Sequence, residues 1–341
     1  MSRLRVAGVG TGYFSRYHYN AWKRIQEVDL VGIANRTLAS AENFAAAYGI
    51  PVAFSNLPEM LDEVRPDLLD IITPPETHLA AISEACARRI PIICQKPFCR
   101  TRAEAEKALE LAEAASIMVV VHENFRFQPW HQESRRIVAS GLLGDPYQIT
   151  FRLRPGDGQG SRAYLDRQPY FQKMPRFLIH ETAIHLIDVF RFLIGEVTGV
   201  YASLRRINPA ISGEDSGLVL FSFASGARGV FDGNRLADHK AKNRRLTMGE
   251  MLIEGSAGTL SLNGDGNLLW RGHGRNDDHP INYVWQDRDF GGDCVYLTQR
   301  HVVHHMLYGT PVMNKVREYL ANIHIEEAIY TSDREGRYVA L

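Results

Sequence analysis

The sequence predicts two domains: a doubly wound α/β domain with a parallel sheet, followed by an α+β domain with a large, mainly antiparallel open sheet. Three observations support this: a glycine-rich turn directly after the first apolar run, repeated strand–helix units up to about residue 123, and consecutive strand patterns after that point. Repeated βα units imply a parallel sheet with helices on both faces, whereas strands joined by hairpins pair antiparallel. We therefore predict a dinucleotide-binding domain over residues 1–123 and a substrate-binding and oligomerisation domain over residues 124–341.

The elements of the first domain follow from hydrophobic periodicity and from helix start and stop signals. The predicted strands are 4–10, 28–34, 68–73, 90–94 and 118–122, and the predicted helices are 15–25, 38–48, 77–88 and 102–115.

The second domain alternates like strands separated by turns. Hairpin turns are predicted at Ser225-Gly226 and at residues 256–258, and a helix is predicted to open near His180. Because a broad sheet face often becomes a dimer interface, we expect a homodimer or homotetramer that associates through this sheet. The predicted strands are 148–154, 197–207, 218–224, 228–234, 250–254 and 259–262, and the closing helices are 291–308 and 314–332.

The amino-acid composition of the chain narrows the kinds of ligand and the cellular location that we expect. Lys plus Arg and Asp plus Glu are equal at 39 each, so no excess charge attracts nucleic acid or an anionic membrane, and a small ligand is expected. The four cysteines show no CxxC spacing, which favours reduced thiols and a cytoplasmic location. Neither a signal peptide nor an apolar run near the roughly 20 residues of a membrane helix is found.

The turn Gly8-Val9-Gly10-Thr11-Gly12-Tyr13 keeps the first two glycines of a GxGxxG motif. Such glycines allow a sharp turn and let the backbone approach a pyrophosphate at a helix N-terminus. A tight turn without a ligand is the alternative, but the position of this turn in the first strand–helix unit favours dinucleotide binding. The turn and the following Phe14 are the first predicted cofactor contacts.

The end of the second strand bears on the choice between NAD and NADP. NAD sites usually place a carboxylate there against the ribose hydroxyls, whereas this chain has Asn35-Arg36. A neutral amide followed by a guanidinium can accept a 2′-phosphate, which favours NADP slightly. Stacking of Arg36 on the adenine is the alternative and suits either cofactor.

Two further motifs lie where predicted strands end. Thr73, Pro74, Pro75 and His78 belong to the first, TPPETH, and Gln95-Lys96 precedes a proline in the second. Ligands of doubly wound domains bind along this edge of the sheet, so we predict cofactor contacts for both motifs. A lysine at that edge is also better placed to contact substrate than an ordinary surface lysine.

The segment from His180 to Asp188, HETAIHLID, is the third motif. Glu181 and His185 are four residues apart and would share a helical face, which suits a general base with an orienting carboxylate. A histidine that only caps or packs locally is the alternative. An HExxH zinc site is excluded because these histidines are five residues apart rather than four.

Other histidines are weaker candidates. His301, His304 and His305 have helical spacing, but no nearby acid completes a metal site, so no metal is predicted. His18, in the first helix, is expected to pack or cap locally.

Taken together, GVGTGY, TPPETH, QKP and E-x-x-x-H-x-x-D resemble the glucose–fructose oxidoreductase, inositol dehydrogenase and MocA family over the whole chain. In that family the lysine of an E-K-P motif and the histidine of a D-x-x-x-H motif form the substrate site facing the nicotinamide, and the lysine–proline peptide is often cis. The resemblance implies that Lys96 contacts the substrate hydroxyl, that His185 is the base and that Glu181 stands at the aspartate position.

Two departures concern the charges of this site. Gln95 replaces the usual glutamate, which by the opposite-charge rule leaves Lys96 easier to deprotonate. Glu181 is one methylene longer than aspartate, so its reach differs.

The resemblance further implies an NAD(P)-dependent sugar or polyol dehydrogenase, oxidising an aldose at C1 or a ring hydroxyl of a cyclitol such as inositol. The segments QKPF, HENFRFQPW and RPGDG resemble the apiose dehydrogenase branch. A cofactor-binding sensor without catalysis is the second alternative, disfavoured by the presence of both Lys96 and His185, and redox-assisted glycoside hydrolysis is the third. Asn124 joins the predicted cofactor contacts. Candidate substrate contacts, for which a solvated loop is an equal alternative, are Arg126, Arg154, Asp157, Tyr164 and Arg176.

Overall fold

A computed structural model describes residues 3–341 of the chain. It divides into two compact units: the first contains the residues up to Asn124 together with Val295–Ala321, and the second contains Phe125–Cys294 and Asn322–Leu341. The predicted boundary at residues 123/124 is one residue from the observed one. The structure differs from the prediction in assigning residues 295–321 to the first unit.

The elements are numbered here in chain order. The helices are α1 Ser15–Trp22, α2 Leu38–Tyr48, α3 Leu57–Val64, α4 His78–Ala87, α5 Arg102–Ala115, α6 Pro129–Ala139, α7 Ile184–Ile194, α8 Cys294–Tyr308 and α9 Val316–Glu335. The strands are β1 Leu4–Val9, β2 Val28–Ala34, β3 Ala53–Phe54, β4 Leu68–Ile71, β5 Ile92–Cys94, β6 Val119–Val121, β7 Pro146–Leu153, β8 Val197–Arg205, β9 Ser216–Phe223, β10 Arg228–Asn234, β11 Gly249–Gly255, β12 Gly258–Leu262, β13 Leu268–Gly272, β14 His279–Ile281 and β15 Val339–Ala340.

The first unit contains a six-stranded sheet in the order β3-β2-β1-β4-β5-β6. Every pair in it is parallel, which confirms the predicted doubly wound domain. The strand order reverses between β1 and β4, and ligands of such sheets bind outside the carboxyl ends of the strands at that point. The glycine turn after β1 and the TPPETH segment after β4 both lie at this edge.

The core of the first unit explains why α8 belongs to it. Val302 and Val303 of α8 are fully buried in one cluster with Leu4, Val6 and Trp22. This packing joins residues nearly 300 positions apart, so local sequence patterns could not place α8 with the first unit.

The second unit is built on a nine-stranded sheet in the order β14-β13-β12-β11-β7-β10-β9-β8-β15. Among the described strands of this second sheet, only the pair β7 and β10 is parallel, so the predicted mainly antiparallel sheet is confirmed. Both predicted hairpins are present, joining β9 to β10 and β11 to β12. One face is buried and packs against α7, where the Phe190 and Phe221 rings lie 5.4 Å apart.

Within residues 3–341, no helix is both long and apolar enough to span a membrane. The four cysteines are buried, and no disulfide joins any of them.

Candidate active site

The glycine turn is shaped by two close approaches and one open position. A Cβ at Gly8 would clash with the Tyr19 hydroxyl group, and one at Gly10 would lie 2.7 Å from the carbonyl oxygen of Ile72. Gly10 also has a φ of +114°, which L side chains rarely adopt. A Cβ at Gly12 would meet no atom within 4 Å. The first two glycines are therefore needed by the fold itself, and the third leaves backbone accessible to a ligand.

Two features at the carboxyl edge of the parallel sheet fit a bound dinucleotide. Helix α1 begins at Ser15 with no side-chain cap and no acidic residue in its first turn, so its amino end can receive a phosphate. After β6, the amide oxygen of Asn124 is buried and has no hydrogen-bond partner among residues 3–341. Such an acceptor suits the carboxamide of a nicotinamide.

The segment after β2 carries an available positive charge. The side chain of Asn35 donates to the carbonyl oxygen of Thr37 over 3.2 Å. Arg36 is exposed and forms no hydrogen bond or ion pair within the described part of the chain. At the glycine turn, the hydroxyl oxygens of Thr11 and Ser40 are 2.9 Å apart. An unpaired guanidinium thus lies at the position where the adenosine ribose is expected.

The TPPETH segment forms a short 3-10 turn, Pro75–Thr77, that leads into α4. His78 is buried, with Nε2 2.7 Å from the Thr73 carbonyl oxygen and Nδ1 2.8 Å from that of Phe98. Burial lowers the pKa of His78, although both carbonyl groups oppose the shift. The imidazole thus ties the loop after β4 to the loop after β5, and the predicted contact of His78 with a cofactor stays a prediction.

The QKP segment follows β5, and its Lys96–Pro97 peptide is cis, as the resemblance implied. Lys96 is half-buried, and its backbone N–H donates to Oε1 of Gln95 over 2.9 Å. Nε2 of the buried Gln95 lies 2.7 Å from Nε2 of His18. His18, expected to pack or cap locally, is buried as packing requires, and its hydrogen-bond partners lie 52 and 77 residues away, so it forms part of the support beneath this segment.

In the second unit, the HETAIHLID segment begins with a π-helix, Leu178–Ala183, before α7. A continuous α-helix from His180 was the expectation. The difference comes from a distant carboxylate: Glu214 accepts hydrogen bonds from the backbone N–H of Phe177 and of Ile179, over 3.1 and 3.0 Å. Opposite it, Nδ1 of His180 lies 2.6 Å from Oε1 of Glu326.

The two predicted catalytic side chains of this segment have well-defined surroundings. The His185 ring is 5 % exposed and stacks on Phe125, with ring centres 3.9 Å apart and planes 5° from parallel. The Glu181 carboxylate accepts a hydrogen bond from the Thr182 hydroxyl and lies 3.6 Å from Arg235. The E-x-x-x-H spacing gives no indication of these partners.

Arg235, which the sequence analysis did not single out, contacts residues of the HETAIHLID segment. Its guanidinium is 1 % exposed, donates to Asp157, to the Tyr164 hydroxyl at 2.8 Å and to the Thr182 hydroxyl at 2.5 Å. Burial alone would raise the pKa of Asp157, but the charges of Arg235 and Arg167 outweigh it and lower that pKa. Arg235 thereby links the loop after β7 to the π-helix.

The five predicted substrate contacts are held in intramolecular pairs. Arg126 forms a bidentate pair with Asp188, at 2.6 and 2.7 Å, and Asp157 and Tyr164 contact Arg235. The remaining pairs are Arg154 with Asp232 and Arg176 with Glu327. These geometries favour structural roles, because a paired guanidinium has fewer donors left for a sugar. The partners are up to 151 residues apart, beyond the reach of local patterns.

The sequence matches two models of one protein family. Residues 4–123 match the GFO/IDH/MocA model described as an oxidoreductase family with an NAD-binding Rossmann fold. Residues 131–261 match the GFO/IDH/MocA C-terminal domain.

Relatives match over the whole chain. A D-apiose dehydrogenase from Paraburkholderia graminis is 31% identical, covering 100% of this chain and 90% of the relative. A D-apiose dehydrogenase from Rhizobium rhizogenes is 29% identical, covering 99% and 98%. Among solved structures, an oxidoreductase from Agrobacterium radiobacter in complex with NAD+, L-tartaric acid and magnesium has a TM-score of 0.90 at 28% identity, covering 99% of this chain and 98% of that one.

Proposed function

The chain belongs to the GFO/IDH/MocA oxidoreductase family, and on that premise we propose that it is a dehydrogenase oxidising an aldose at C1 to its lactone, with D-apiose as the first candidate. The observation that carries this proposal is the full-length similarity to two proteins named D-apiose dehydrogenase. The tartaric acid bound by the similar Agrobacterium radiobacter structure supports a small polyhydroxylated ligand.

The proposed chemistry assigns one proton step and one electrostatic step to this chain. When bound, NAD or NADP takes up the hydride from the carbinol carbon. His185 accepts the hydroxyl proton, and stacking on Phe125 fixes the plane of its ring. The Lys96 ammonium stabilises the negative charge that develops on the substrate oxygen. Glu181, held by Thr182 and Arg235, supplies a fixed negative charge to the same segment as His185.

For the cofactor, we propose that NADP is used at least as well as NAD. The support is the unpaired, exposed Arg36 together with the neutral Asn35 at the end of β2. The relatives' structures with NAD+ make NAD the competing choice, so both cofactors belong in every assay.

The test is a reduction assay that follows the absorbance of the reduced nicotinamide. The panel contains D-apiose, other aldoses, cyclitols, aldonates and L-tartrate, each with NAD and with NADP. We expect an aldose to give the highest kcat/KM and a lactone as product. Reduction with cyclitols only would replace the aldose proposal. No reduction at all, without any rise in melting temperature on adding cofactor, would exclude a dehydrogenase.

The roles of Lys96 and His185 are tested by Lys96→Met and His185→Gln. We expect His185→Gln to lower kcat by about 10²- to 10⁴-fold, as general-base removal does. We expect Lys96→Met to lower kcat by about 10²- to 10³-fold, as the loss of one donor to a developing oxyanion does. Cofactor affinity should stay near that of the unchanged enzyme. Matched controls are Lys107→Met on the exposed face of α5 and His304→Gln on α8, which should change kcat less than about twofold. Loss of cofactor binding in the Lys96 or His185 variants would contradict the assigned roles.

We also propose that the exposed face of the nine-stranded sheet binds a second copy of this chain. Neighbouring strands align a mainly apolar row across this face, in the order Tyr201, Leu220, Val230, Thr150 and Leu252. Tyr201, Leu220 and Leu252 are 40, 49 and 36 % exposed, and contiguous exposed apolar surface of this kind marks association sites.

Sedimentation or light scattering of the purified protein tests this association. We expect a dimer or tetramer, and we expect Leu220→Lys to shift it toward the monomer. The matched control is Leu142→Lys, because Leu142 is 38 % exposed but lies outside the row. A monomeric wild-type protein would overturn the proposal.

A further inference from the structure

We propose that Gln95 is a positioning residue for Lys96: its carboxamide holds the buried His18 as a neutral imidazole protonated on Nδ1, and so keeps the backbone of Lys96 in place across the pH range of catalysis. The inference rests on the proposed role of Lys96. It concerns only residues of the first unit, which lie on α1 and β4 and directly after β5 and β6.

The orientation of the Gln95 side-chain amide follows from its hydrogen bond with a backbone N–H, a group that can only donate. The backbone N–H of Lys96 can only donate, and it lies 2.9 Å from one end of the amide, which must therefore be Oε1. The other end is then the amide nitrogen, 2.7 Å from Nε2 of His18. Since that nitrogen is also a donor, Nε2 of His18 must accept with its lone pair.

The opposite side of the imidazole fixes the proton on Nδ1. Nδ1 of His18 lies 2.7 Å from Oδ2 of Asp70, and the indole N–H of Trp22 donates to the same oxygen over 2.7 Å. A neutral imidazole has one donor and one acceptor nitrogen, so Nδ1 donates to Asp70. A second proton on Nε2 would point at the N–H of Gln95, with no acceptor to receive it.

The surroundings of His18 are buried and supply few other charges. His18 and Asp70 are fully buried, and Gln95 is 6 % exposed. The ring of buried His122 packs against His18 with centres 4.2 Å apart. Burial, with the charge of Asp70 adding to it, raises the pKa of Tyr19 and of Cys94, so both are neutral near pH 7. Asp70 and His122 are thus the groups that bear on the charge of His18.

A carboxylate at position 95 would favour the protonated form of His18 over the neutral form. In Gln95→Glu, Nε2 of His18 would need a proton to donate, and the imidazolium would lie between the new carboxylate and Asp70. Two such neighbours raise a histidine pKa in the folded state above its ordinary value of about 6.5. Their stabilisation is then fully present below about 6.5 and is lost as the pH rises through the raised folded-state pKa. The unchanged Gln95 needs no such proton.

The kinetic test compares kcat and KM of the wild-type and Gln95→Glu proteins from pH 6 to pH 10. We expect the ratio of variant to wild-type kcat to fall at alkaline pH by about tenfold per pH unit beyond the new pKa, and to recover on return to pH 6. The control is Tyr319→Phe, which removes one buried hydrogen bond to Glu123 in the same unit and should give a pH-independent ratio. A pH-independent ratio for Gln95→Glu would overturn the inference.

A spectroscopic test does not depend on turnover. In 15N-histidine-labelled wild-type protein, the His18 ring, assigned by its loss in His18→Gln, should show one protonated and one unprotonated nitrogen from pH 6 to pH 9. Two protonated nitrogens, or a proton on Nε2, would overturn the inference even in an active enzyme. If the tautomer is as expected but no sugar reduces either cofactor, the proposed function has failed and the inference about His18 has not.

Discussion

The edge of the parallel sheet in the first unit and the HETAIHLID segment in the second are held by different forces. At the sheet edge, close packing stabilises the structure. The glycines of the turn leave room for Tyr19 and Ile72, and the neutral Gln95 amide donates a hydrogen bond to the neutral His18 imidazole. The HETAIHLID segment is instead stabilised by buried ion pairs, above all those of Arg235 with Asp157 and of Arg126 with Asp188. The first region should therefore be sensitive to added volume, and the second to altered charge and to pH.

The largest effect is expected for Arg235→Met in the second region. Arg235 is 1 % exposed, and removing one partner from a buried ion pair costs about 3–5 kcal/mol in the free energy of unfolding. Asp157 would keep only Arg167 and Tyr164 as donors. Urea unfolding of both proteins at pH 7 measures the difference.

Arg162→Met is the matched control, because Arg162 pairs with Asp166 on the surface, where side-chain exposures are 74 and 84 %. An exposed pair contributes roughly 0–1 kcal/mol. Equal losses for the two variants would show that the buried pair is not what stabilises this region.

Acid should weaken the second region through His131. Burial lowers the pKa of His131 to about 4, while its hydrogen bond to the carbonyl oxygen of Phe125 opposes the shift. A depressed folded-state pKa means that the stabilisation is complete above about pH 6.5 and is lost as the pH falls toward 4, by up to about 3 kcal/mol.

His131→Gln removes this titration, so its free energy of unfolding should fall less between pH 7 and pH 4.5 than that of the wild type. His279→Gln, at an exposed position on β14, is the control and should follow the wild-type curve. Identical pH dependence of all three proteins would contradict the role of His131.

Added volume should damage the first region. For Gly10→Ala we expect a loss of about 1–3 kcal/mol, because the new methyl group meets the Ile72 carbonyl oxygen and φ is +114°. Gly12→Ala is the paired variant: with no atom within 4 Å of its Cβ, it should melt like the wild type. The shift in melting temperature on adding cofactor should be reduced in both. A normal melting temperature for Gly10→Ala would show that shape does not control this turn.

The difference between the two regions also explains which features could be predicted from the sequence. The glycine turn and Lys96 belong to short motifs beside regular elements, and the structure has them at the predicted sheet edge. Helix α3 is additional to the predicted elements although it carries a local signal: Asn56 caps it by accepting from the backbone of Glu59. A search for N-caps as well as apolar periodicity would find such a short helix.

The rest depends on contacts between residues far apart in the chain. Asp70 is 52 residues from His18, and Arg235 is 78 residues from Asp157, so neither pair leaves a local pattern. A single turn of π-helix is too short to leave a distinct apolar pattern, and this one is stabilised by Glu214, 35 residues beyond Ile179. Arg154 and Arg176, predicted as substrate contacts, pair with such distant charges, and their contact with substrate stays a prediction.

A change at Arg36, on the exposed rim of the first region, tests whether a charge there sets the choice of cofactor. A hydrogen bond between charged groups contributes about 1.5–3 kcal/mol, so Arg36→Ala should lower kcat/KM with NADP by roughly 10- to 100-fold relative to NAD. Asn35→Asp should shift the same ratio in the same direction, because a carboxylate repels a 2′-phosphate and binds ribose hydroxyls. Arg102→Ala, an exposed arginine on α5, is the control. If the ratio is the same in all four proteins, selectivity does not lie at the end of β2, and the preference for NADP inferred from Asn35 and Arg36 is wrong.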